Sequence, residues 1–378
     1  MSEVQHPICG FVPPHVLEAI AGSTSVPEEC RIACHYTLKH AGSYKDQHHQ
    51  LGWKAHVRSP STKSKEDRTT ALQPVQQPLT AAGAELAVPV QRKIYDCKET
   101  QARPGTLVRS EGQERIKDRQ GNNCYDGFKI THDFYSKIFG RNSIDDRGLA
   151  LVGSIHYKLN SAPAGYNNAF WDGNKNQMVF GDGDHIAFDY LTDSPDVIAH
   201  ELSHGFVQFT SPLEYYWQAG ALNESCADVF GCMIEQWHMR QSVDDGDWNV
   251  GQTVFPVSFR GTALRTLKAG KALFRRPYLY TGGADNRGVH INSGIPNHAF
   301  YLAAKSLRGY SWEKAGKVWY KTMTSGKIPS NCDFATFAAV TVDVAGKEFI
   351  DASVENAIRD AWVKVGVLAP NVSLKALL

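Results

Sequence analysis

The five residues HELSH at 200–204 constrain this chain more than any other stretch. On a helix, His200 and His204 lie one turn apart on the same face, so both imidazoles can approach one metal ion. Glu201 projects beside them, within reach of a water on that ion. The bland alternative is two histidines on a helix surface. Glu224 argues against it. Nineteen residues separate it from His204, and it lies in ALNESCAD on the next helical stretch, so two helices joined by a turn can bring it to the same ion. Two His and one Glu form a catalytic zinc set whose fourth position is left for water. Asp228, one turn beyond Glu224, is placed to accept a hydrogen bond from a ligand imidazole and fix its tautomer, and Asn223 is assigned to the same supporting layer. These parts imply a mechanism. Zinc lowers the pKa of its water toward about 7, and Glu201 takes the proton as hydroxide attacks a peptide carbonyl, then passes it to the leaving amine. The oxyanion needs further donors, of which a Tyr hydroxyl and a His imidazole are the usual kinds.

The rest of the chain can house such a site. Its 378 residues, 42% apolar and 21% charged, are of ordinary globular composition and suit two or three structural units. A net charge of +1 gives no reason to expect nucleic acid or an acidic membrane as partner. No apolar run reaches the eighteen or so residues of a membrane helix. The start, MSEVQHPICGFVPPHVLEAI, lacks a basic region followed by a long apolar core. The expectation is therefore cytoplasmic synthesis without a signal peptide, with secretion, if any, by a non-classical route. On the same ground the eight cysteines read as free thiols. Cys30 and Cys34 are four apart, but no second pair with zinc-finger spacing follows, so no zinc ribbon is expected there.

Texture divides the chain into residues 1–38, 39–87, 88–195 and 196–378. The first contains Pro13 and Pro14 just ahead of VLEAIA, a short helix. The second is polar and reads as a flexible linker. The third carries strand-like runs, KIYDC, LALVGSIHYKL and QMVFGDGD. The fourth turns helical, with DVIAHELSHGFVQFT, AGALNESCADVFGCMIEQW and ENAIRDAWVKVG. The fold class is α+β, a strand-rich half followed by a helical half. The glycines of GDGD at 181–184 favour a tight turn over a calcium site, and His48 and His49 read as a solvated pair.

HELSHGF, GALNESCADVFG, DNRGVHINSGIPNHAFY and GYNNAFWDGNKNQMVFGDGD together resemble the thermolysin family of zinc metallopeptidases, over about residues 88–378. The resemblance implies a two-lobed fold with the zinc helix between the lobes, one catalytic zinc, and protein or peptide substrates cut before a bulky hydrophobic residue. It also implies roles by position. Tyr215 and His290 match the residues that hold the oxyanion, and Asp285 the carboxylate that orients His290. Asn168 and the backbone of Ala169 match groups that bind the substrate chain along an edge strand. Arg265 matches the arginine that contacts a substrate carbonyl, and Val197 and Leu264 line the apolar pocket. Of five acidic residues at the family's double calcium site, Asp196, Glu235 and Asp247 match three. Asn249 and Gln252 stand at the other two, so at most one calcium is expected; the carboxylates serve equally as helix-end charges.

FVPPHVLEAIA resembles the short propeptide of the protealysin-like branch. Residues 1–38 would then be an inhibitory segment occupying the cleft, with Pro13 and Pro14 in its core and processing within 75–90. Cys9 raises the idea of a thiolate capping the open zinc position, against the favoured reading of an inert small thiol. The expectation is a monomeric endopeptidase made as a latent precursor. A silent relative that only binds a partner is disfavoured, since every catalytic position holds a competent residue type. A zinc aminopeptidase is disfavoured too, since no motif supplies a carboxylate for a free substrate amine.

Overall fold

The computed structural model describes residues 9–50, 89–160, 162, 165–257, 263–268, 280–373 and 377, with backbone alone at Cys9 and over 41–50. Most of the expected processing region and most of the expected linker lie outside these residues. The elements run β1 (Cys9–Gly10), α1 (Pro14–Ala21), α2 (Glu28–Gln50), β2 (Arg92–Thr100), β3 (Thr106–Ser110), α3 (Arg119–Phe139), β4 (Leu151–Tyr157), β5 (Ala169–Asp172), β6 (Gln177–Gly181), α4 (Pro195–Thr210), α5 (Trp217–Met239), β7 (Asn249–Val250), β8 (Arg265–Thr266), α6 (Asp285–Asn292), α7 (Gly294–Leu307), α8 (Ala315–Met323), α9 (Phe334–Glu348) and α10 (Ala352–Lys364). The α+β class and the order of a strand-rich half before a helical half are as the sequence suggests.

Six strands form one sheet in the order β1-β5-β6-β4-β2-β3. β4 lies parallel to β2 and to β6, while β5 is antiparallel to β6. The two-residue β1 comes from the far N-terminus and adds antiparallel to β5, pairing Cys9 with Trp171 and Gly10 with Phe170. It thereby covers a sheet edge that would otherwise present unpaired amides. α4 and α5 pack together beneath this edge. Both are buried nearly all round, as expected of helices in the middle of a core rather than on its surface.

Two departures from the sequence expectation matter. α2 continues to Gln50, well past the point where the polar texture suggests a linker. Its stretch SYKDQHHQ is polar but contains no Gly or Pro to stop a helix. The strand-rich half also contains a long helix, α3. Gly121 and Gly127 weaken its intrinsic propensity, and tertiary packing overrides them. A Cβ on Gly127 would fall 2.6 Å from Ile198 Cδ1, so the glycine is what lets α3 approach α4.

The start of α3 is fixed by a shared carboxylate. Asp118 Oδ1 accepts from Gly121 N at 2.8 Å, a helix cap, and Oδ2 lies 2.7 Å from His156 Nε2. His156 Nδ1 is 2.8 Å from Asp182, so Asp182 of GDGD serves this ring. Asp184 instead accepts backbone N–H groups of Ile186, Ala187 and Phe188 at 2.8–3.1 Å, a turn that follows GDGD rather than lying within it. The Asp182 hydrogen bond, offset in part by burial and reinforced by Asp118, raises His156 to about 9. A raised folded-state value stabilises the fold fully below the unfolded value of about 6.5 and is lost as pH climbs through about 9. His156→Gln is expected to cost about 1–2 kcal/mol at pH 6, allowing for solvent screening. Thermal melts across pH should show the gap between parent and variant closing between about pH 6.5 and pH 9; a gap that widens there would contradict the charged triad.

Candidate metal and active site

α4 and α5 bring the three expected ligands together. His200 Nε2 lies 3.1 Å from His204 Nε2. Glu224 Oε2 lies 3.7 Å from His200 Nε2, and Glu224 Oε1 lies 3.5 Å from His204 Nε2. Ligands about 2.0–2.1 Å from a tetrahedral zinc stand about 3.3 Å apart, so the triangle fits one ion. The protonation pattern fits as well. Asp228 Oδ1 is 2.9 Å from His200 Nδ1 and Asn223 Oδ1 is 2.8 Å from His204 Nδ1. Both acceptors demand a proton on Nδ1, which leaves Nε2 with a lone pair. Burial lowers both imidazoles to about 4, so they are neutral. Two facing lone pairs repel unless a cation lies between them. Glu224 Oε2 adds a buried carboxylate oxygen with no hydrogen-bond partner, 3.4 Å from His290 Nε2.

Asp228 is the hub behind the ligands. Besides His200, it accepts from Arg265 Nε at 3.0 Å and Nη2 at 2.8 Å and from Asn297 Nδ2 at 2.9 Å. Burial alone would raise its pKa, but the Arg265 guanidinium and His200 hold it well below the ordinary carboxylate range.

The expected catalytic groups surround the same point. Glu201 Oε2 accepts from Trp171 N at 2.9 Å, which leaves Oε1 buried and unpartnered. Burial, and then the nearby Glu224 carboxylate, push Glu201 well above its usual range. Tyr215 Oη donates to Glu224 Oε1 and lies 3.3 Å from His290 Nε2. Asp285 holds His290 twice, through the ring Nδ1 at 2.8 Å and the backbone N at 3.0 Å. Burial disfavours a charged His290, yet Asp285 and Glu224 outweigh it and raise the ring to about 9. The grip depends on a left-handed turn, with φ of 53°, 48°, 67° and 74° from Asp285 to Gly288. Three of those residues have side chains that disfavour this region, a local cost met at a functional site.

Gly10, Phe11 and Val12 hydrogen-bond to several of the residues expected to bind a peptide. Phe11 N donates to Ala169 O at 3.0 Å, and Val12 N donates to Asn168 Oδ1 at 2.7 Å. Arg265 Nη1 donates to Phe11 O at 3.0 Å, and His290 Nε2 lies 3.0 Å from Gly10 O. Phe11 is fully buried. Its ring meets the His200 ring edge-on at 5.1 Å and lies under Arg265. A Cβ on Gly251 would strike both Phe11 and Leu264, so Leu264 borders the Phe11 ring; Val197 is fully buried in the same core. Pro13 caps α1 and Pro14 opens it, turning the chain away from the sheet edge. The Cys9 side chain, and with it the thiolate-cap idea, lies outside the described residues. Sequence reasoning missed Phe11 and Asn297. Phe11 carries no signal beyond being the aromatic before Val-Pro-Pro, and Asn297 none beyond lying in the His290 stretch.

At the calcium candidates, Asp196 accepts from Gly251 N at 2.6 Å and Val197 N at 2.8 Å. Burial, then Asp196 and Asp247, raise Glu235 to about 8, as crowded carboxylates do. Asn249 Nδ2 donates to Gln252 Oε1 at 3.3 Å.

Two sequence models match. One, described as thermolysin metallopeptidase, catalytic domain, covers residues 64–208, and the other, thermolysin metallopeptidase, alpha-helical domain, covers 211–367. The chain belongs to the thermolysin family of metallopeptidases. It is similar to an extracellular metalloprotease of Pectobacterium carotovorum subsp. carotovorum, 37% identical over 374 residues, 96% of this chain and 97% of the relative. It is also similar to Protease PrtS of a Photorhabdus species, 42% identical over 73% of this chain and 76% of the relative. Among solved structures it resembles the precursor of protealysin, a metalloproteinase from Serratia proteamaculans, with a TM-score of 0.75 and 37% identity over 95% of this chain and 100% of that one. The enzyme class and the protealysin-like branch expected of the motifs stand. The expected cytoplasmic location does not: the relative aligned along nearly the whole chain is named extracellular. A signal pattern of that kind bears on a single export route and does not fix location.

If Asp228 fixes the His200 tautomer, Asp228→Asn should weaken zinc binding about 10–100-fold, read by competition with a coloured chelator. Unchanged affinity would remove Asp228 from the supporting layer.

Proposed function

We propose that this member of the family is a zinc-dependent neutral endopeptidase that cuts before bulky hydrophobic residues and is made as a latent precursor whose N-terminal segment, about residues 1–38, fills the cleft. The observation that carries this reading is the way Gly10, Phe11 and Val12 occupy the site. Their amides and carbonyls meet Ala169, Asn168, Arg265 and His290 as a substrate backbone would, and the Phe11 ring fills the apolar pocket. The Gly10–Phe11 bond thus stands where a scissile bond would lie, with a large apolar side chain after it.

His200, His204 and Glu224 would hold the zinc, which when bound polarises a carbonyl and makes water more acidic. Glu201, with Oε2 tied to Trp171 N, offers Oε1 to take the proton of the attacking water and return it to the leaving amine. His290, kept protonated by Asp285, and the Tyr215 hydroxyl would donate to the developing oxyanion. Arg265 and Asn168 hold the chain on the leaving side and align it for attack. The pair of prolines after Val12 explains why the segment stays: the stiff turn into α1 keeps the chain beyond Val12 anchored. At the acidic cluster we propose at most one calcium, taken by Asp196, Glu235 and Asp247. Action outside the cell is supported by the Pectobacterium relative's name.

Casein and Leu- or Phe-containing peptides should be cut by the processed chain, with activity lost to a zinc chelator and in Glu201→Gln. Cleavage surviving both would end the metal mechanism. Phe11→Ala should raise the activity of the uncut chain, or speed its processing, by about tenfold or more, since burial of such a ring contributes several kcal/mol. Latency unchanged in Phe11→Ala would mean that the segment does not inhibit through this pocket.

A further inference from the structure

A second cluster of metal-binding side chains lies away from the catalytic centre, between α2 and the body. Cys30 and Cys34 are one helical turn apart and both fully buried. With Asp184 they place three donor atoms within 4.8 Å of one another. Asp184 Oδ1 is saturated by backbone N–H groups of its turn, so Oδ2 faces the thiols, held by Asn167 Nδ2 at 2.9 Å. Asn167 is itself fully buried. Its Nδ2 also approaches Cys34 Sγ at 3.4 Å, while its carbonyl oxygen Oδ1 has no partner. The amide therefore points its nitrogen at the thiols and the carboxylate and leaves a buried acceptor unsatisfied. A half-turn of the amide, whose two ends are nearly the same shape, would aim Oδ1 into the cluster as a fourth ligand. The backbone around it is already fixed: Asn167 N donates to Thr37 Oγ1 at 3.2 Å, and Thr37 Oγ1 donates to Ala33 O at 3.0 Å.

We propose that Cys30, Cys34, Asp184 and Asn167 form a second, thiolate-rich zinc site that clips the N-terminal segment to the body of the enzyme. Zinc takes thiolate and carboxylate donors in tetrahedral sites, and the Asn167 amide oxygen would complete the fourth position. Binding releases the two thiol protons to solvent, and the ion replaces them. Two of the four ligands belong to the N-terminal segment and two to the body. Asn167 precedes Asn168, the residue that clasps Val12, so the clip sits one residue from the cleft. It would hold the segment in place after the chain is cut, because a crosslink turns release into two coupled events rather than one. This regulatory role rests on the latent-precursor reading; the site itself does not.

The test uses the uncut Glu201→Gln, Cys9→Ser chain, kept reduced, so that neither self-cleavage nor Cys9 intervenes. Zinc content should be about two ions per chain, falling to about one in Cys30→Ser, Cys34→Ser. Cobalt substitution should give a sulfur-to-metal charge-transfer band, lost in the double variant. Should that variant fail to fold, the band in the parent decides alone, because His200, His204 and Glu224 supply no sulfur. One zinc with the band present leaves the clip standing and counts against the catalytic site. One zinc without the band, or a Cys30–Cys34 disulfide in its place, overturns the clip.

Discussion

The buried Asp228 carboxylate ties the architecture to its chemistry. It lies 2.9 Å from His200 Nδ1 and takes hydrogen bonds from Arg265 and Asn297, groups drawn from three separate parts of the helical half. Desolvating a carboxylate costs several kcal/mol unless donors surround it, and here one cation and two neutral donors do so. Beside His200 Nδ1 it would set the tautomer of a proposed metal ligand. Through Arg265 it holds the guanidinium that grips Phe11 O. Ligand geometry and peptide recognition are therefore coupled through one side chain. α4 and α5 must be packed together for any of this to form, which explains why both are buried on almost every face.

A second theme is shared use of the sheet edge. β5 offers its outer hydrogen bonds to β1, while the same strand donates Trp171 N to Glu201. One strand thus holds Glu201, the proposed general base, and pairs with the N-terminal segment. The N-terminal segment uses this edge, then leaves it at Pro13 and Pro14 and returns as α2 to the far side of Asn168. It is anchored at both ends of its visit to the cleft.

Much of this was legible in the sequence. HELSH, Glu224 and Asp228 are readable because helical periodicity converts spacing into direction. The strands KIYDC and QMVFG follow from short β-branched and aromatic runs. Other features were hidden for physical reasons. α3 carries glycines that look like helix breakers until Ile198 is seen against Gly127. α2 runs beyond its apolar part into a polar tail that composition alone assigns to a linker. Phe11 is one aromatic among seventeen phenylalanines, and only the antiparallel register of β1 on β5 gives it a role. Asp184 is 150 residues from Cys34, a separation at which no local pattern can pair them.

The central claim is that two imidazoles and one carboxylate, from adjacent helices, converge on a single ion. Anomalous scattering at the zinc edge from crystals of the uncut Glu201→Gln chain tests it most directly. The account predicts a peak about 2.0–2.2 Å from His200 Nε2, His204 Nε2 and a Glu224 oxygen together. An anomalous map without a peak there, or with one bound by the histidines while Glu224 points elsewhere, would contradict it.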